Sequence, residues 1–239
     1  MKIEFPQCKV DFLQMQAEPV VLVAGGRAPS TGWLGKTACR RPVWAIDRGV
    51  DICREAGVVP AILIGDADSG SAIAWQWAEA EKNVVKVKHP VDKDATDLQL
   101  ALQELSIRHP GAMALLTGGW GGRFDHAFSN IFSLLEAEIL GVCPGGLIDD
   151  AEALFFVFTG QNLTIEFSDE PKAISLLPLT PVCSKICFGG VHWPLADAVL
   201  KMKSPAGISN RLAKESTKVE VSIGQGILGV YCCWNESGL

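Results

Sequence analysis

Ala112-Met113-Ala114-Leu115-Leu116-Thr117-Gly118-Gly119-Trp120-Gly121-Gly122-Arg123-Phe124-Asp125-His126 is the stretch on which the fold turns. Ala112 to Leu116 is an apolar run of the buried-strand kind, and a strand is expected from Ala112 to Gly118. Downstream, Phe128, Ile131, Phe132, Leu134 and Leu135 recur at helical spacing, so a helix is expected after Asp125. A glycine-rich loop between a strand and a helix presents backbone N–H groups at a helix N-terminus, where an anionic phosphate is most easily held. Arg123 adds a forked donor that suits phosphate oxygens. A plainer reading competes with this one: the glycines make a turn and Asp125 caps the helix.

Working outward, the first half of the chain alternates strand and helix. Pro19 to Gly25, Val43 to Asp47, Ala61 to Gly65 and Val84 to Lys88 read as strands, and Leu147 to Asp149 closes a sixth. Between them a helical pattern runs through Val50, Ile52 and Cys53 until Gly57. Two further helices are expected, from Ser71 to Lys82, with Ile73, Trp77 and Ala80 on one side, and from Asp94 to His109, with Leu98, Ala101, Leu102 and Leu105 in a stripe. Such alternation through short connections implies a mostly parallel, Rossmann-like α/β sheet covered on both faces. Beyond about Ala151 the pattern changes. Leu154 to Phe158, Leu163 to Phe167, Ala173 to Leu177, Ile186 to Phe188, Val219 to Ile223 and Ile227 to Cys232 are short β-like runs punctuated by Gly and Pro. The expectation is an α/β domain over 1–150 followed by an all-β domain over 151–239, a sandwich or barrel, with the sandwich favoured.

Composition narrows the function. The 239 residues are 48% hydrophobic and 20% charged, with a formal net charge of -6. That describes a folded chain large enough for a real core and without the basic stripe a nucleic-acid binder needs. Met1-Lys2-Ile3-Glu4-Phe5-Pro6 has an early acid and no apolar core, and no run approaches a bilayer span, so neither a secretory signal nor a membrane segment is expected. The cytoplasm is the expected compartment. The eight Cys contain no C-x-x-C pair and read as small buried hydrophobes in a reducing environment.

Acids gather where strands end, and in a parallel sheet ligands bind at the carboxyl ends of strands. Asp47 ends one strand, Asp66 and Asp68 follow the next, Asp94 and Asp97 open a helix, and Asp125 lies in the glycine-rich loop. Asp47, Asp94 and Asp97 each have a structural alternative as helix caps or dipole partners. Asp66 and Asp68 are harder to explain that way, because two acids one residue apart repel unless a cation lies between them. Mg²⁺ takes oxygen ligands and keeps waters that reach phosphate. Together with the Gly-Gly-Arg loop, the acids describe a site for a metal-chelated polyphosphate.

At these residues the chain resembles the thiamine pyrophosphokinases. The matching elements are Asp47-Arg48-Gly49, Gly65-Asp66-Ala67-Asp68-Ser69, Lys93-Asp94-Ala95-Thr96-Asp97, Gly121-Gly122-Arg123-Phe124-Asp125-His126 with Asn130, and Gly207-Ile208-Ser209-Asn210, in the family's order. Three places differ from the family's usual pattern: Arg48, where a second glycine is usual, Trp120, where a small residue is common, and Gly189-Gly190-Val191-His192-Trp193-Pro194-Leu195, which matches the family's pre-strand pattern only loosely. The resemblance implies an ATP-binding α/β domain, a β-sandwich domain, and a homodimer with thiamine bound where the subunits meet. It implies transfer of a diphosphate group from ATP to the thiamine hydroxyl, giving thiamine diphosphate and AMP. Asp66, Asp68, Asp94 and Asp97 would hold Mg²⁺ and orient the triphosphate, and Arg123 and Asp125 would complete the reaction site. Asp47, Gly49, Ser69, Thr96, Gly121, Gly122, His126 and Asn130 would line the ATP site, and Ser209 and Asn210 the thiamine pocket. Either Asp97 or Asp125 would accept the hydroxyl proton.

Other residues carry weaker signals. Trp193 offers either an aromatic face for the thiazolium or ordinary packing. His126 either contacts substrate or orients Asp125, and Gly25-Gly26-Arg27 is a faint second phosphate signal. The rival functions are a nucleotidyltransferase, which leaves Gly121 to His126 unexplained, and a non-catalytic nucleotide or thiamine sensor, against which the intact set of carboxylates argues.

Overall fold

The computed structural model describes residues 1–65, 70–88, 94–204 and 206–235. The chain divides into two compact units, Ala17–Asp149 and a second one built from Met1–Gln16 with Asp150–Leu239.

The chain begins in the second unit with β1 (Lys2–Glu4) and β2 (Cys8–Phe12). The first unit then follows, with β3 (Pro19–Val23), α1 (Thr31–Ala38), β4 (Val43–Ile46), α2 (Gly49–Glu55), β5 (Ile62–Gly65), α3 (Ala72–Ala80) and β6 (Val85–Lys88). It continues through α4 (Asp97–Arg108), β7 (Met113–Thr117), α5 (Phe124–Glu136), a 3-10 turn over Ala137–Leu140, and β8 (Cys143–Ile148). Its strands lie in the order β8-β7-β3-β4-β5-β6, and every pairing among them is parallel. Val20 to Val23, Trp44 to Ile46 and Met113 to Leu116 are all nearly inaccessible, as strands covered on both faces must be. β6 is an edge strand, and Lys86 and Lys88 keep it solvated. The order reverses between β3 and β7. At such a switch point the loops that leave neighbouring strands diverge and open a crevice at the strands' carboxyl ends.

Helices α2 to α5 fall where expected, while α1 (Thr31–Ala38) was not anticipated and the inner faces of α3 and α5 differ from the reading. Leu98, Ala101, Leu102 and Leu105 of α4 are all buried. On α3 the buried face is Ala74, Trp75 and Ala78, whereas Ile73 is exposed. Small alanines let that helix sit close, and Trp75 fills the space beside Gly70, where a Cβ would fall 2.4 Å from the indole nitrogen. Along α5 the apolar residues split. Leu134 is buried, while Phe124, Phe128 and Phe132 form an exposed ridge with ring centroids 5.9 and 4.9 Å apart.

The second unit continues with β9 (Glu152–Phe158), β10 (Asn162–Phe167), β11 (Ala173–Pro178), β12 (Val182–Gly189), β13 (Leu195–Lys201), β14 (Lys218–Ser222) and β15 (Ile227–Cys233). It holds one antiparallel sheet in the order β1-β2-β10-β14-β12-β13 and an antiparallel set β11-β15-β9. Phe155 of β9 meets Phe5 and Phe12 at 6.0 and 6.2 Å between ring centroids, so this core closes on aromatic contacts.

Residues 1–16 therefore depart from the expected 1–150 domain. Cys8, Val10 and Phe12 alternate with Lys9 and Asp11 and are buried on one face of the sheet, while β2 pairs edge to edge with β10. β13 went unread because its apolar residues show no buried alternation: only Leu200 is buried, and Val199 and Ala196 are exposed. Cys8, Cys53, Cys183 and Cys232 are buried as expected, but Cys39 and Cys187 are exposed; all eight are free thiols. Among the described residues no helix is long and apolar enough to cross a membrane.

The aromatic closure makes a stability contrast. Phe155→Ala should lower unfolding free energy by about 3–5 kcal/mol, the range for emptying a buried aromatic site. Phe128→Ala, on the exposed ridge, should stay within about 0.5 kcal/mol of the parent. Urea titrations of the two variants measure the difference.

Candidate active site

The crevice at the switch point is built by two loops laced together through main chain. After β3, Ala24 N–H donates to Thr117 O (2.9 Å), Gly26 N–H to Gly118 O (2.8 Å) and Arg27 N–H to Trp120 O (2.5 Å). The contact tolerates no side chain. A Cβ at Gly26 would fall 2.4 Å from Trp120 O, and one at Gly118, whose φ is 66°, would fall 2.1 Å from Ala24 O. Arg27 then closes the lacing. Its Nε and Nη2 donate to Asp149 Oδ2 at 2.9 and 2.6 Å, and Asp149 is wholly buried just past β8. The guanidinium that the sequence offered as a faint phosphate signal is thus bound within the protein. Nothing local in sequence couples residues 27 and 149; the only cue was an acid closing a buried strand run.

Gly121, Gly122, Arg123, Asp125, His126 and Asn130 come together on the loop after β7 and the start of α5. Gly121 and Gly122 have φ of 76° and 67°, so the loop turns through left-handed backbone that a side chain would strain. Asn130 Nδ2 donates to Gly119 O at 3.0 Å and ties the loop down onto its own helix. Arg123 occupies the N-cap position without a side-chain cap, and Asp125 lies within the first turn, so Asp125 is not the cap that the plainer reading required. Its carboxylate instead faces the Arg123 fork, with Nε to Oδ1 at 3.1 Å, and accepts the His126 N–H at 3.0 Å. His126 thus orients Asp125 through its main chain. The Arg123 hydrogen bond holds the Asp125 carboxyl below its ordinary value. Both side chains are largely exposed, so the pair is oriented more than it is stabilising.

The acids occupy other strand ends. Asp47 follows β4 with φ of 51° and lies over Gly65, whose Cβ would fall 3.3 Å from Asp47 Oδ1. Gly49 presses on β3, where a Cβ would fall 1.8 Å from Val23 O. Before α4, Thr96 and Gln99 form a capping box: Thr96 Oγ1 accepts the Gln99 N–H at 3.2 Å and Gln99 Oε1 accepts the Thr96 N–H at 2.9 Å. Capping therefore falls to Thr96, not to Asp94 or Asp97. Asp94 is exposed and Asp97 half-buried at the first position of the helix. Asp66, Asp68 and Ser69 lie outside the described residues. Among the described residues no group of three His, Cys, Asp or Glu stands together in a metal-binding arrangement.

A cleft of about 510 Å³ borders the loops after β3, β4 and β5, lined by Gly25, Gly26, Arg48, Asp51, Gly70 and Ser71 among others. Sequence reasoning missed Asp51 and Ser71. Ser71 donates to Asp51 from its main chain (3.1 Å) and its hydroxyl while its Oγ caps α3, pinning the start of α3 to α2.

In the second unit Ser209 has φ of 57° and its N–H donates to Ser175 Oγ at 3.0 Å. Asn210 is buried and clamps Trp193 through its main chain: Oδ1 accepts the Trp193 N–H at 3.2 Å and Nδ2 donates to Trp193 O at 2.8 Å. Trp193 itself is 56% exposed, with the Arg211 guanidinium 5.7 Å from its ring centroid. It is not core packing within this unit.

A parallel α/β unit with a laced glycine-rich loop and carboxylates at its strand ends, carried on one chain with an antiparallel β unit, defines a two-domain class. Residues 39–142 match the family model described as thiamin pyrophosphokinase, catalytic domain, and residues 162–228 match its vitamin B1 binding domain. The chain belongs to the thiamine pyrophosphokinase family. It is 27% identical over 208 residues to the thiamine pyrophosphokinase of Bacillus subtilis, covering 87% of this chain and 94% of that protein. It is 25% identical over 167 residues to thiamine pyrophosphokinase 1 of rice, covering 67% of this chain and 62% of that protein. The crystal structure of the Bacillus subtilis protein superimposes with a TM-score of 0.76 at 25% identity, over 91% of this chain and all of that one.

The Arg123–Asp125 pair has a sign that titration can read. A depressed carboxyl pKa means that the pairing is complete above the ordinary carboxylate range and is lost as pH falls through the lowered value. Carboxyl-detected NMR should place the Asp125 midpoint below 3.8, and Arg123→Ala should raise it toward that value.

Proposed function

We propose that the protein is an ATP:thiamine diphosphotransferase that forms thiamine diphosphate and AMP. The observation that carries this reading is the joint match of both domain models, in order, on a chain whose parallel sheet opens its crevice at the β3/β7 switch point. The crevice is read as the ATP site of a Rossmann-like unit, with Gly121, Gly122, Arg123, His126 and Asn130 on one wall and Asp47 and Gly49 on the other. The 1–150 region supplies ATP binding and chemistry, apart from the first 16 residues. The β unit, with Ser209 and Asn210, supplies the thiamine pocket and the dimer contact.

The donor set fits Mg²⁺. Hard carboxylate oxygens suit it, and the capping box relieves Asp94 and Asp97 of work at the helix terminus. Asp94 and Asp97, with Asp66 and Asp68, would hold the ion. When bound it neutralises phosphate charge. The remaining work belongs to side chains. Arg123 binds the oxygens of the phosphoryl group that thiamine attacks, and positioning dominates such transfers. Asp97 or Asp125 would accept the proton of the thiamine hydroxyl. An acidic site and the Trp193 face favour the cationic thiazolium.

Homodimerisation belongs to the same proposal. So does a cytoplasmic location, with which eight free thiols agree.

Incubation with γ-labelled ATP, thiamine and Mg²⁺ should put the label in thiamine diphosphate and release AMP. Release of ADP or of pyrophosphate sinks the reading, and binding of ATP and thiamine without AMP would leave a sensor. Asp97→Ala should fold normally and lose turnover by roughly two orders of magnitude or more, the loss expected of a group that holds the metal or accepts the proton. Near-parental turnover would remove Asp97 from the chemistry.

A further inference from the structure

Two arginines at the carboxyl edge of the parallel sheet are engaged within the protein, Arg27 by buried Asp149 and Arg123 by Asp125. Arg48 differs. It follows Asp47 at the end of β4, stands at the N-cap position of α2, and its side chain is exposed along the 510 Å³ cleft. Its carbonyl accepts the Asp51 N–H at 3.0 Å, but among the described residues its side chain makes no hydrogen bond or ion pair. The acids that share the cleft do not take it. Asp51 has both carboxylate oxygens occupied by Ser71, and Glu55 lies at the far end of α2, about 10 Å along the helix axis.

The place of Arg48 is set by close packing. A Cβ on Gly25 would fall 2.4 Å from Arg48 Cβ and 3.3 Å from its Cα. Only a glycine lets the turn after β3 come this near, so the arginine stem lies directly against the Gly25-Gly26 turn at the switch point. A forked, permanently charged donor beside a turn without side chains is suited to a compact polyanion that can take two parallel hydrogen bonds.

We propose that Arg48 is a phosphate-binding residue for the nucleotide, holding a phosphate group against the Gly25-Gly26 turn. The inference rests on the reading of the crevice as the ATP site. It makes Arg48 a determinant of ATP affinity, separate from Arg123 at the transferring group and without a part in thiamine recognition.

The test compares the full-length parent with Arg48→Ala, Arg48→Gln and Arg48→Lys by equilibrium binding of radiolabelled ATP and by initial rates with each substrate varied. The Kd and KM for ATP should rise about tenfold or more in the Ala and Gln variants, the loss of a charge-assisted hydrogen bond. The Lys variant should recover only part, because a point charge does not replace a fork. The KM for thiamine should stay within twofold and the melting temperature should not change. An unchanged ATP Kd in Arg48→Ala, with the parent turning over normally, overturns this inference alone; so does an effect that falls on thiamine. A parent that makes no AMP but binds ATP in an Arg48-dependent way overturns the diphosphotransfer reading and sustains this one. A parent that binds no ATP overturns both.

Discussion

The site depends on the lacing of the turn after β3 to the loop after β7. Three main-chain hydrogen bonds and the Arg27–Asp149 fork hold two loops that would otherwise diverge at the switch point. Main-chain bonds are insensitive to side-chain identity, but this approach is possible only where Gly26 and Gly118 carry no Cβ. The fork is asymmetric in its energetics. Asp149 is wholly buried, and leaving such a carboxylate without its cation would cost about 3–5 kcal/mol, whereas the intact pair gains much less. The interaction therefore specifies geometry more than it adds stability.

That rigid base carries a looser upper layer. Arg123 and Asp125 pair in solvent, where an ion pair is worth little, and they sit on a loop anchored beneath by Asn130. An exposed, weakly held cation can exchange its carboxylate for a phosphate at small cost, while the loop that positions it stays fixed. Arg48 completes the contrast: it rests on the turn after β3 and, among the described residues, has no carboxylate to release. The edge of the sheet thus holds a structural arginine, a paired one and an unpaired one among the described residues.

Much of the fold was legible in the sequence. Strands β3 to β7, β9 to β11, β14 and β15 were legible as strand-like runs and α4 as a stripe at helical period, whereas β8 and β12 were legible only in part, at Leu147 to Asp149 and Ile186 to Phe188. The failures have local causes. α3 was read with Ile73, Trp77 and Ala80 inward, yet the buried face is Ala74, Trp75 and Ala78, because a helix apolar on several sides leaves its inner face to be chosen by its packing partners. The alternation in Cys8 to Phe12 was present but short, and a five-residue strand gives little signal until its partner is known. Of the site, the glycine-rich loop, Asp47, Asp94, Asp97 and Asp125 were readable as residues at strand ends. The capping role of Thr96, the orientation of Asp125 by His126 and the exposure of Trp193 were not, because each depends on which of several polar neighbours wins a hydrogen bond.

The sequence by itself determined the two-part character of the chain, the parallel nature of the first sheet and the crowding of acids and glycines where strands end, because period, burial and turn chemistry are local properties. Only the tertiary structure decided the strand order, the return of residues 1–16 to the β unit, the fork between Arg27 and Asp149 and the seating of Arg48 on Gly25. Each of these joins segments distant in sequence, and a contact made by chain reversal leaves no periodic mark on either partner.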